Sequence, residues 1–157
     1  MLNVFKPFYY SRRHPSNWFS NIKIFFRQFK YAWQRATRGY CDADLWDLDD
    51  YYTKLFCATL KDFSKNLDSV PSNFYNEIDG MEKWREYLNE MITHLQNSLE
   101  PERVQQNEYE EAHSLDPNNE ELSNKYIERT REIHDWQTNE LMEGLNMLIE
   151  VYEDLWD

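Results

Sequence analysis

Apolar residues recur at spacings of three and four from Trp18 onward: Trp18, Ile22, Phe25, Phe29, Ala32 or Trp33, and Ala36. Such spacing returns to one face of a helix and predicts a first long helix whose stripe belongs inside a core. Ser16 or Asn17, just past Pro15, supplies an N-cap, and Gly39 suits the position after the last turn. Lys23, Arg27, Lys30 and Gln34 line the other side. A second stripe, Leu45, Leu48, Tyr52, Leu55, Thr59 and Phe63, predicts a helix capped by Asp42 or Asp44. Residues 66–76, with Pro71, read as a loop, and Asp79-Gly80-Met81-Glu82 resembles a capping box for a third helix. That helix carries Trp84, Leu88, Met91, Ile92, Leu95 and Leu99.

Residues 100–121 are highly polar, with a break at Asp116-Pro117, and predict a short exposed helix or a mobile excursion. A last long helix follows, with Leu122, Tyr126, Ile133, Trp136 or Gln137, Leu141, Leu145, Leu148, Tyr152 and Leu155 on its stripe. No alternation of period two is long enough to demand a strand. The expected fold is therefore all-α, a bundle of four to five helices with long first and last members. A single helical domain over 1–157 is expected, with 1–15 as an aromatic and basic arm. Trp156, beside the C-terminus, is expected to dock into a core or a subunit contact.

Composition sharpens this picture. The chain has 157 residues, of which 26 are aromatic (6 Trp, 11 Tyr, 9 Phe), and only three glycines. So many rings exclude a disordered chain and favour a homo-oligomer that covers some of them. The net charge of −12 is unevenly placed: residues 1–41 hold eight bases and no acid, the other 116 hold nine bases and 29 acids. An acidic majority disfavours bulk nucleic acid as a partner, whereas a small anion held by the basic segment remains compatible. Cys41 and Cys57 are too few for a disulfide framework and suit a reducing cytosol. The N-terminus lacks the apolar core of a signal peptide, and no stretch approaches the length of a membrane span. A cytoplasmic protein with no membrane partner is expected.

The densest chemistry lies in Arg35-Ala-Thr-Arg-Gly-Tyr-Cys-Asp-Ala-Asp-Leu-Trp-Asp-Leu-Asp-Asp-Tyr-Tyr52, at the corner between the first two predicted helices. Three accounts of it stand side by side. As a metal site it fails the EF-hand pattern, because Trp46 and Asp47 stand where an acid and the loop glycine belong; only a carboxylate pair such as Asp42 with Asp49 remains. As a brace, Arg35 and Arg38 pair with the aspartates and fix the angle between helices. As a pocket, arginine forks suit phosphates, carboxylates suit ribose or base amines, and rings stack on bases. The candidate ligand-binding residues are Arg35, Arg38, Tyr40, Asp42, Asp44, Trp46 and Asp49. No nucleophile elbow, phosphate loop or paired-histidine metal motif occurs, so a non-catalytic protein without cofactor or metal is expected.

This corner, with Trp33-Gln34 ahead of it, Trp84, Leu88 and Met91 later, and Glu143-Gly144-Leu145 through Asp157, resembles a family of small proteins encoded by bacteriophages. Relatives carry Arg-Gly-Tyr/Phe-Ser/Cys-Asp-x-Asp-x-Trp-x-Leu-Asp, which Arg38–Asp49 matches closely. The family's Gly-Tyr-Pro in the loop before the third helix is replaced here by Val70-Pro71 and Phe74-Tyr75. The resemblance implies a phage accessory protein in the cytoplasm of a bacterial host. Joined to the corner's chemistry, it raises the expectation of a counter-defence sponge that sequesters a nucleotide-type immune signal. The alternative is a module that binds a host or phage protein, with the corner purely structural.

Overall fold

A computed structural model describes residues 18–75 and 79–155. The 1–15 arm, the Ser16 or Asn17 cap and Trp156 lie outside the described residues. Four long helices dominate: α1 (Trp18–Arg38), α2 (Leu48–Lys65), α4 (Gly80–Leu99) and α6 (Glu120–Glu150). Short helices α3 (Ser72–Tyr75) and α5 (Glu110–Leu115) and two 3₁₀ turns, Pro101–Arg103 and Tyr152–Asp154, fill the connections. No strand occurs among the described residues, so the fold is all-α with long first and last helices. The chain divides into two compact units, Met1–Leu55 and Phe56–Asp157.

The second unit holds the larger core. Its centre is the predicted stripe of α4: Trp84, Leu88, Met91, Ile92 and Leu95 are all buried. Cys57, Leu60 and Leu67 join from one side and Leu148 and Val151 from α6 and its end. Gly144 lets α6 approach α4 closely; a β-carbon there would sit 2.8 Å from Leu95 Cγ. Polar clasps lie beside this apolar contact. Tyr87 Oη donates to the Met147 carbonyl (3.2 Å) and to Glu150 (3.0 Å), and Gln137 Nε2 donates to the Ser98 carbonyl (2.5 Å).

Several local expectations change. The buried face of α2 is Thr53, Cys57, Leu60 and Ser64, while Leu45, Leu48 and Tyr52 of the expected stripe are exposed. Thr53 can be buried there because its hydroxyl is satisfied locally, donating to the Asp49 carbonyl at 2.8 Å. Asp79 precedes α4 in the left-handed region (φ 72°), and its side chain makes no capping bond, so the reciprocal box does not form. The 66–76 segment contains α3, whose Phe74 ring packs on Trp84 at 5.4 Å. Val151, rather than Tyr152, is the buried residue at the end of α6.

The polar 100–121 stretch is tied to α6. Asn107 Nδ2 donates to the Tyr126 carbonyl and Thr130 Oγ1, Arg129 reaches Gln105 and Glu108, and His113 stacks on Tyr126 at 4.5 Å. Asn119 caps α6, its side chain accepting from the Leu122 N–H. No helix among the described residues is long and apolar enough to cross a membrane.

In the first unit the main surprise is α1. Its stripe was expected inside, yet Phe25, Phe29 and Trp33 are 53–64% exposed, and Phe26 beside them is 66% exposed. The reason lies in what packs on the other side of this helix.

Candidate functional site

Arg38 closes α1, and Gly39, at φ 83°, turns the chain back; its N–H donates to the Arg35 carbonyl at 3.0 Å. Few residues but glycine adopt that conformation cheaply. Residues 41–46 then form tight turns, Asp44 N–H to the Cys41 carbonyl (3.1 Å) and Trp46 N–H to the Ala43 carbonyl (3.3 Å), before α2 begins at Leu48. Neither Asp42 nor Asp44 caps α2 as expected. Both carboxylates point back onto α1.

Asp44 is buried and accepts two bonds from the Arg35 fork, from Nε at 2.9 Å and from Nη2, and a third from the Cys41 N–H at 2.7 Å. The arginine fork holds its carboxyl below the ordinary 3.8, at about 2; burial pushes the other way, and the Cys41 N–H adds to the lowering. Asp42 collects Lys30 Nζ (2.8 Å), Gln34 Nε2 (2.8 Å) and Arg38 Nη2, and these three donors hold its carboxyl well below the usual range. Gln34 closes the loop in reverse, its Oε1 accepting the Asp42 N–H at 3.1 Å. Arg38 also donates from Nε to the Tyr40 carbonyl (3.1 Å) and lies 4.7 Å over the Tyr40 ring, and the Tyr51 hydroxyl donates to the Gly39 carbonyl.

Of the sequence-predicted residues, Arg35, Arg38, Tyr40, Asp42 and Asp44 therefore come together. Trp46 and Asp49 do not: Trp46 is 89% exposed, Asp49 sits in the exposed first turn of α2, and among the described residues no hydrogen bond ties either side chain to the cluster. Lys30, Gln34 and Tyr51 belong to the cluster without having been singled out. Lys30, Gln34 and Arg38 carry a signal in hindsight, since steps of four place them in one row on a helix.

The same row explains the bare rings. Phe25, Phe29 and Trp33 each lie five positions before Lys30, Gln34 and Arg38, which is roughly 140° around the helix axis. The 41–46 turn is fastened to the polar row, so the aromatic row faces away from it.

Among the described residues no group of three or more His, Cys, Asp or Glu side chains is placed to hold a metal ion, and Asp42 and Asp44 already have cationic partners. Both thiols, Cys41 and Cys57, are free and buried. No family model, no curated protein and no solved structure matches the chain.

Proposed function

We propose that the protein is a non-catalytic protein-interaction module, acting in a bacterial host during phage infection as the sequence resemblance implies. In this account the corner is a brace that holds the 41–46 turn in one shape and presents Leu45 and Trp46 to a partner protein. One observation carries the proposal: Arg35 and Arg38 each donate to an aspartate of that turn, while Trp46 stands 89% exposed on it. An anionic ligand at these arginines would have to displace carboxylates already held by two to three donors each. A tryptophan displayed on a rigid turn, with Leu45 exposed beside it, has the composition of an interface anchor.

The test pairs ligand and partner measurements. Cyclic nucleotides and ADP-ribose derivatives are expected to leave thermal melting unchanged; a nucleotide bound at 100 times its dissociation constant would add about 2.7 kcal/mol. Trp46→Ala, a surface change, should alter stability by about 0.5 kcal/mol or less. It should nevertheless abolish capture of whatever host or phage protein the wild type retains. A nucleotide-dependent rise in melting that Arg38→Ala removes would overturn the brace and restore the sponge.

A further inference from the structure

We infer that the partner of the Trp46 turn is a protein surface in which an apolar pocket is edged by arginine. The inference rests on the reading of Trp46 as an interface anchor and adds the chemistry of what receives it.

Residues 45–50, Leu-Trp-Asp-Leu-Asp-Asp, form an unbroken exposed run. Leu45, Trp46 and Leu48 in it are 54%, 89% and 40% exposed. An aromatic side chain covers about 150–250 Å² when buried, so a seated indole supplies most of the apolar contact that so short a run can make.

The balance of charge around this run identifies the receiving surface. Residues 18–55 hold five aspartates. Asp42 is gripped by Lys30 and Arg38, Asp44 by Arg35, and Asp50 by Lys54 at 2.8 Å. Asp47 and Asp49 are exposed, and among the described residues no cation pairs with either. They follow Trp46 by one and three positions, so even a fully extended chain keeps them within about 11 Å of it. Acids at a helix start favour its dipole, which accounts for their place at the head of α2. That role does not call for the exposed apolar side chains interleaved with them.

Seating Trp46 carries both carboxylates to the edge of the contact, where they lose water. A carboxylate that loses water without gaining a partner is costly, so an entirely apolar pocket is a poor receiver. Nucleic acid and anionic lipid are worse, since both set phosphates against unpaired aspartates. Arginine fits both parts of the run. Its fork donates to a carboxylate, and its flat face stacks on an indole.

The probes are three amphipathic helical peptides with one leucine face in common and arginine, glutamine or glutamate along its edges. The readout is the indole N–H resonance of Trp46 in the isotope-labelled full chain, assigned by its loss in Trp46→Phe. The arginine peptide should shift that resonance with about fivefold the affinity of the glutamine peptide, as two exposed ion pairs provide, and the glutamate peptide should bind most weakly. Raising NaCl to about 1 M, where the Debye length is about 3 Å, should erase the difference. Asp47→Asn combined with Asp49→Asn keeps side-chain size and the capacity to cap a helix, and should erase it too, with the glutamine peptide unaffected. A glutamine peptide that matches the arginine peptide on the wild type overturns the arginine edge and leaves Trp46 standing as an anchor. A Trp46 resonance that no peptide moves overturns the anchor and this inference with it. An arginine advantage that survives both aspartate changes overturns the inference alone, because the charge is then read elsewhere on the acidic chain.

Discussion

Asp44 concentrates the chemistry of the corner in one carboxylate. It is 7% exposed, and its charge is held by a two-pronged arginine and a backbone N–H. Its folded value lies at about 2 against an ordinary 3.8, so the stability it contributes is fully present above about pH 4 and is lost as pH falls toward 2. Asp42, lowered in the same direction by Lys30, Gln34 and Arg38, adds to that acid limb. Asp44→Asn removes the charge that Arg35 grips. Urea midpoints should place the variant well below wild type at pH 6, with the gap closing steadily between pH 4 and pH 2; a gap independent of pH would contradict the pairing. That arginines and aspartates meet at this corner was legible from their density in eighteen residues. Which acid meets which base was not, because the pairing is set by turns at 41–46 that carry no periodic signal.

At the scale of elements, legibility followed periodicity. The α4 stripe was read correctly from Trp84 to Leu95, since a helix buried along one face leaves a regular apolar trace; at its end Leu99 is only partly buried and Ser98 is the buried residue. In α2 the same rule misplaced the inner face. Thr53, Cys57 and Ser64 are small or hydroxylic, and a count of large apolar residues finds only Leu60 on that face. On α1 the rule found the stripe and misjudged its surroundings: periodicity shows that a face is apolar, not that anything covers it. Gly144 makes the complementary point on α6. In an open helix, Gly→Ala gains about 1 kcal/mol in propensity. Here the new methyl would press on buried Leu95, and overpacking of that kind costs about 1–3 kcal/mol. Gly144→Ala should therefore lower the melting temperature; a rise would mean that α4 and α6 are not in such close contact.

Across the whole molecule, charge is divided between the two compact units. Met1–Leu55 carries nine bases and five acids, a net +4; Phe56–Asp157 carries eight bases and 24 acids, a net −16. Repulsion within the acidic unit opposes its own folding and is relieved by screening. Raising NaCl from about 10 to about 150 mM shortens the Debye length from about 30 to about 8 Å and should raise the melting temperature. A fall would indicate that favourable surface pairs such as Lys125 with Glu121 outweigh the repulsion. Both the display of Trp46 and the outward turn of the α1 rings depend on the 41–46 turn staying fastened to α1. Thermal melting of Arg35→Ala tests that fastening most directly. Breaking a buried pair costs about 3–5 kcal/mol, and discounting for the one-third exposure of Arg35 leaves about 2–3 kcal/mol, or a drop of roughly 5–10 °C. An unchanged melting temperature would mean that Arg35 holds nothing in the free protein and is kept for a ligand.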